Sequence, residues 1–223
     1  MAADPEISLR AQTPADAAGP VYFSGDTAAA LAALREPALA CIRCDLKLTR
    51  TQVVFGVGNP EAKLIIFGEA PGADEDEQGL PFVGRAGKEL NGMLGDAGIR
   101  REDIWLSNTV KCRPTKQEGR RVSNRPPRVG EVRACAIWRE GEMDLLKPRL
   151  ICCLGATAAS TILGREVKMG RERGIWTDGP HGARVLLTYH PSYVMRQQGA
   201  DYDRIRGEVV TDLREVAARL AEL

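Results

Sequence analysis

Lys63-Leu-Ile-Ile-Phe67 runs without a break into Gly68-Glu-Ala-Pro-Gly72, and the reading of this junction decides the fold. A short apolar run without alternation suits a strand covered on both faces, and the Gly- and Pro-containing turn behind it ends the strand abruptly. Ile104-Trp-Leu-Ser107, Leu150-Ile-Cys-Cys-Leu154 and Arg184-Val-Leu-Leu-Thr188 have the same character. Helical stretches separate these runs, at about residues 87–97, 129–146 and 157–163, and an amphipathic run over 204–220 closes the chain. Upstream, Asp26 is a candidate N-cap for a short helix ending before Pro37. The alternation predicts an α/β protein: a three-layer α/β/α sandwich around a central, mostly parallel four-stranded sheet. Residues 1–24, rich in Ala, Pro and Asp without apolar periodicity, read as a mobile arm, and residues 25–223 as a single domain.

In open parallel sheets, ligands bind outside the carboxyl ends of the strands. The four runs end in Gly68-Glu-Ala-Pro-Gly72, Asn108, Gly155-Ala-Thr157 and His190-Pro-Ser192. Glu69, Asn108 and His190 are therefore expected on one crevice. A planar amide offers donors and an acceptor to a nucleobase edge, and a neutral imidazole can donate to a developing anion. His181, in a Gly-Pro-His-Gly turn, has no strand to fix it.

Composition narrows the chemistry further. With 31 Lys and Arg against 30 Asp and Glu, attraction to nucleic acid requires a local basic patch. Residues 111–133 supply one, with eight Lys or Arg against two Glu. Arg113, Lys116, Arg120, Arg121, Arg125 and Arg128 are the candidate phosphate contacts. The chain's two histidines, nine positions apart, exclude a three-histidine metal site and the His half of a Cys2His2 finger. No apolar run approaches the ~18 residues of a membrane span, and no secretory signal is visible, so a cytoplasmic, monomeric protein without membrane association is expected. In that reducing setting the six cysteines should not be disulfides, and four of them with suitable spacing would suggest metal ligation, which spacing alone cannot divide between a structural zinc site and an iron-sulfur cluster. Cys152 and Cys153, inside an apolar run, read as small core residues.

Taken together, Gly68-Glu-Ala-Pro-Gly72, Pro81-Phe-Val-Gly84, Asn108-Thr-Val-Lys-Cys-Arg-Pro114, Asn124-Arg-Pro126 and His190-Pro-Ser192 resemble the motifs of family 4 of the uracil-DNA glycosylase superfamily, its iron-sulfur branch. They occur in the family's order across roughly residues 41–215. The resemblance implies excision of uracil from single- or double-stranded DNA, with Glu69, Asn108 and His190 catalytic and a [4Fe-4S] cluster on Cys41, Cys44, Cys112 and Cys135. It implies a substrate pocket along Gly68, Ala70, Gly72, Glu75, Phe82, Asn124 and Ser192, with Phe82 stacking on an extruded base. Glu69 would orient water or stabilise the sugar cation. In the best-known branch the water-positioning residue falls at Ala70, and the Tyr that excludes thymine's methyl falls at Gly72. Among the residues after the last motif, Tyr193, Val194, Met195 and Arg196, one is expected to enter the base stack, and Arg196 to touch DNA.

Between Cys112 and Cys135 lie 22 residues, several more than the family pattern, with the extra length near Thr115-Lys-Gln-Glu-Gly-Arg-Arg-Val-Ser123. This stretch resembles the basic loop of the branch whose members are covalently trapped on uracil-DNA through a loop histidine. That position falls on Asn124, so ordinary turnover is expected. Two other classes compete: a non-catalytic iron-sulfur DNA-binding module of the same fold, and a nucleotide-binding enzyme using the 68–72 turn as a phosphate loop, disfavoured by its acid and by the lack of a P-loop Lys-Ser/Thr.

Overall fold

The computed structural model describes residues 26–223. The expected arm at 1–24 lies outside the described residues. In chain order the helices are α1 (Thr27–Leu39), α2 (Ala73–Gln78), α3 (Arg85–Asp96), α4 (Val129–Leu146), α5 (Ala156–Leu163), α6 (Met169–Glu172), α7 (Pro191–Val194) and α8 (Ala200–Ala221). The strands are β1 (Val57–Gly58), β2 (Leu64–Gly68), β3 (Trp105–Asn108), β4 (Thr115–Glu118), β5 (Arg121–Asn124), β6 (Leu150–Leu154), β7 (Thr177–Asp178) and β8 (Arg184–Thr188).

The four apolar runs become β2, β3, β6 and β8, all parallel, at the centre of a sheet ordered β1-β3-β2-β6-β8-β7. The sheet has six strands rather than four, because β1 and β7 add short antiparallel edges to β3 and β8. Two residues carry no periodicity, so nothing in the sequence marks these edges.

Consecutive strand residues enter opposite cores, which explains the unbroken apolar runs. Ile65, Phe67, Ile151, Cys153, Val185 and Leu187 pack with Leu31, Trp138, Met143 and Ala158, on the face covered by α1, α4 and α5. Leu64, Ile66, Leu106, Cys152, Leu154 and Leu186 pack with Leu90, Met93, Val209 and Leu213, on the face covered by α3 and α8. Three layers result. Cys152 and Cys153 point one to each face, are fully buried, and have thiol pKa values pushed up by burial.

Asp26 caps α1, its side chain accepting from the Ala28 N–H at 2.9 Å. The helix continues through Pro37 to Leu39 rather than ending before the proline. Pro37 lies in the last turn and is exposed, so the carbonyl left without a partner can meet water. Residues 115–124, read from sequence as an extra basic loop, form a two-stranded hairpin of β4 and β5. Among the described residues no helix is long and apolar enough to cross a membrane.

Candidate active site

Parallel register brings the strand ends to one edge of the sheet. Gly68 pairs with Asn108 and Leu154 with Thr188. The residues that follow open onto a cavity of about 870 Å³, lined by Glu69, Asn108 and His190 together. Gly68 has no room for a side chain: a Cβ there would collide with Oδ1 of Asn108 and come within 2.7 Å of the Phe82 ring. Backbone bonds from Thr109 and Val110 to the carbonyls of Gly68 and Glu69 tie the turn to the end of β3. The Glu69 carboxylate and the Asn108 amide make no hydrogen bond with other described residues, although Asn108 is only 3% exposed. Buried polar groups normally find partners, so an unpaired amide facing a cavity is a site prepared for a ligand.

His190 caps α7. Its Nδ1 accepts from the Ser192 backbone N–H at 3.1 Å and lies 2.8 Å from the Ser192 hydroxyl, which in turn accepts from Arg196 at 3.4 Å. A backbone N–H can only donate, so Nδ1 is the unprotonated nitrogen and Nε2 carries the proton of the neutral ring. Burial, and then the Arg196 charge, push the His190 pKa down to about 4. The ring is therefore neutral at physiological pH.

Glu75, which the resemblance assigns to the substrate pocket, lines the cavity and is buried. Its two carboxylate oxygens accept from the backbone N–H groups of Gly72 and Gly84, both at 3.0 Å, clamping the 68–72 turn to the 81–84 loop. Phe82 is 5% exposed and packs in the core while also lining the cavity, so burial and a face toward a ligand coexist. Its backbone sits in the left-handed region at φ 56°. Arg101 braces that loop through the carbonyls of Pro81 and Phe82, a role no local sequence signal marks. Ala70, Gly72, Thr157 and Ser192 line the same cavity, joined by Pro114, Met169, Tyr189 and Tyr193, which sequence reasoning did not connect to it. Tyr189 and Tyr193 stack at 4.9 Å. Val194 is fully buried among α8 side chains and is unavailable for insertion, whereas Tyr193, Met195 and Arg196 are exposed. His181 lies apart, 3.3 Å from both Glu140 and Asp144.

The hairpin rises from the cavity wall, which Asn124 and Arg125 help to line. Its basic residues divide by environment. Arg120, Arg121 and Arg128 are exposed and unpaired by any described acid, and Lys116 pairs with Glu118 at 2.8 Å on the surface. Arg113 is committed to Oδ1 of Asn124 at 2.7 Å. Arg125 is consumed internally: it forks onto Glu131 at 2.6 and 2.8 Å and onto the Thr115 carbonyl, fixing the hairpin stem to α4. The Arg125 hydrogen bonds hold the Glu131 carboxyl below the usual carboxylate range.

Cys41, Cys44, Cys112 and Cys135 surround one small void together with Arg50, Lys111 and Trp138. Three donors point at sulfur: Trp138 Nε1 to Cys41 at 3.2 Å, Arg50 to Cys112 at 3.3 Å and the Lys111 backbone N–H to Cys135 at 3.2 Å. Burial pushes the Cys135 thiol up to about 12 and raises Cys44 and Cys112 as well. Among the described residues no three or more His, Cys, Asp or Glu side chains are arranged to hold a single metal ion.

Comparison with known proteins places this geometry in a family. The model of the uracil DNA glycosylase superfamily matches residues 55–214. The chain belongs to that superfamily. It is 41% identical over 166 residues to the type-4 uracil-DNA glycosylase of Thermotoga maritima, covering 74% of this chain and 83% of the relative. The type-4 uracil-DNA glycosylase of Archaeoglobus fulgidus is 36% identical over 185 residues, covering 80% and 87%. A type-5 uracil-DNA glycosylase of Thermus thermophilus is 32% identical over 189 residues, covering 76% and 81%. The superfamily match spans β2, β3, β6 and β8, so all three convergent side chains lie inside it.

Proposed function

We propose that the protein is a type-4 uracil-DNA glycosylase, a hydrolase that cleaves the N-glycosidic bond of deoxyuridine in DNA, releasing uracil and leaving an abasic site. The observation that carries this reading is the convergence of Glu69, Asn108 and His190 on one cavity at the carboxyl ends of parallel strands. The names of its relatives agree with it.

Breaking the bond between C1′ and N1 leaves cationic character on the sugar and negative charge on the base, so preorganised electrostatics serve better than a nucleophile. His190 donates from Nε2 to uracil O2 as that charge develops; burial keeps the ring neutral, and the Ser192 N–H on Nδ1 fixes which nitrogen donates. Asn108 matches O4 with its N–H and the N3–H with its carbonyl oxygen. Glu69 orients water or faces the sugar cation, with Ala70 offering only a methyl beside it. Phe82 supplies a stacking face for a base turned out of the helix. Gly68, Gly72 and Glu75 shape the pocket through backbone and clamp contacts. Arg113, Lys116, Arg120, Arg121, Arg128 and Arg196 contact phosphates, while Arg125 acts through the hairpin stem. With Asn124 where the trapping branch has histidine, turnover is ordinary.

Cys41, Cys44, Cys112 and Cys135 would hold a [4Fe-4S] cluster. Burial raises the Cys44, Cys112 and Cys135 thiols, so these cannot all ionise unless a cationic centre compensates them, and N–H donors on three sulfurs, those of Cys41, Cys112 and Cys135, suit thiolates. Such a cluster would brace the fold, since hydrolysis transfers no electrons. Residues 25–223 act as one domain, monomeric and cytoplasmic. Purified protein incubated with a single-uracil oligonucleotide and then treated with alkali should cleave the strand at uracil, and an intact strand would refute the enzyme. Iron in a brown preparation is expected; colourless zinc-loaded protein would reverse the cofactor assignment.

A further inference from the structure

Directly beneath the base-reading end of β3 lies a polar cluster that the proposed chemistry does not use. Lys111 and Glu142 are 1% and 0% exposed and form an ion pair. The three ammonium protons of Lys111 meet three acceptors: Oε2 of Glu142, Oγ of Ser107 and, at 3.0 Å, the carbonyl oxygen of Asn108. Ser107 donates in turn to Glu142 at 2.9 Å, and the other Glu142 oxygen accepts the Gly56 N–H at 3.0 Å. The ammonium also lies 5.6 and 5.9 Å from the ring centres of Phe55 and Phe67. Every polar group of the cluster is satisfied, yet an apolar pair of similar volume would stabilise a core about as well. Two buried charges therefore call for a geometric reason.

Asn108 supplies it. Its side chain has no hydrogen bond among described residues to fix its direction, so the backbone at the end of β3 must do so. Lys111 reaches back three residues to the Asn108 carbonyl, while its own backbone is pinned on the other side, its N–H to Cys135 Sγ at 3.2 Å and its carbonyl to the Val54 N–H at 2.7 Å. We propose that Lys111 and Glu142 are a positioning pair for Asn108, setting the turn from which the amide meets the base and joining it mechanically to the cysteine pocket. The inference rests on the reading of Asn108 as the base-edge contact.

The test is the double variant Lys111→Met, Glu142→Leu, which removes both charges without stranding either one. Phosphate contacts lie elsewhere, so KM for a single-uracil oligonucleotide should stay within about twofold, while kcat falls about ten- to a hundredfold, as small misplacements of reacting groups do. Free uracil, measured by calorimetry at matched iron content, should bind about tenfold more weakly. A folded double variant with wild-type kcat and uracil affinity overturns the inference. Should it not fold, Ser107→Ala keeps both charges and removes only the hydroxyl between them; a several-fold loss in kcat and in uracil affinity is expected, and no change overturns the inference. Wild-type protein inert on the oligonucleotide would defeat the functional reading and this inference with it. Wild-type activity alongside an unaffected variant defeats the inference alone.

Discussion

Asn108, in the cavity wall, is 3% exposed, whereas Val122 on the neighbouring hairpin is 53% exposed, and the two regions differ just as much in how they are held. The cavity walls are ends of buried parallel strands, laced by backbone bonds from Thr109 and Val110 and clamped by Glu75. The hairpin is fixed at its stem, by Arg125 on Glu131 and Arg113 on Asn124, and offers charge to solvent beyond it. Chemistry that tolerates little misplacement belongs on the first, and sequence-blind phosphate attraction suits the second. Substitutions in the cavity should therefore act on kcat, and substitutions on the hairpin on affinity and its salt dependence.

The largest effect is expected from His190→Ala, a loss of about 10²–10³ in kcat with KM nearly unchanged, as for removal of a single anion-stabilising donor. A loss confined to KM would move His190 from the chemistry to binding. The same residue fixes a pH response. Its pKa is pushed down to about 4, so the ring stays neutral from pH 8 to about 5, and kcat should be level there and change only near 4. Because the folded value lies below the unfolded one, near 6.5, His190 favours the folded state above that pH and loses this contribution as pH falls toward 4. A break in the rate profile near 6.5 would contradict the buried, neutral ring.

Next comes Asn108→Asp, expected to cost about ten- to a hundredfold in uracil excision and to admit some cytosine, whose amino group suits a carboxylate. Excision assays on paired uracil and cytosine oligonucleotides decide this. Glu75→Ala removes the acceptor of two backbone N–H groups and should lower stability by about 1–3 kcal/mol, read as a lower midpoint in thermal or denaturant unfolding. An unchanged midpoint would mean that the two loops are held by other contacts. Smallest at saturation is the double variant Arg120→Ala, Arg121→Ala. Its kcat should match wild type, while the slope of log affinity against log salt falls by about one for each DNA phosphate that the hairpin no longer neutralises. A loss of kcat would show the hairpin acting within the pocket.

These regions were unequally legible in the sequence. The four central strands could be read because residues alternating between two covered faces are all apolar, as Ile65 and Ile66 illustrate, one to each core. The convergence of Glu69, Asn108 and His190 followed from strand direction alone. Glu75 was singled out of Ala73-Asp-Glu-Asp-Glu77 by the family resemblance alone, because only the turn of α2 selects which carboxylate faces the backbone of Gly72 and Gly84. The hairpin did carry a signal: Thr115-Lys-Gln-Glu and Arg121-Val-Ser-Asn flank Gly119, whose φ of 60° suits a tight turn. Lys111 and Glu142, separated by 31 positions, meet only once β3 and α4 pack, so no local pattern could join them.

The central claim is spatial, and a crystal structure of the protein soaked with free uracil tests it most directly. The account predicts uracil in the cavity at the sheet end, O2 at about 3 Å from Nε2 of His190 and the N3–O4 edge against the Asn108 amide, with the ring over Phe82. Uracil bound away from these side chains, or with its O2 turned from His190, would contradict it.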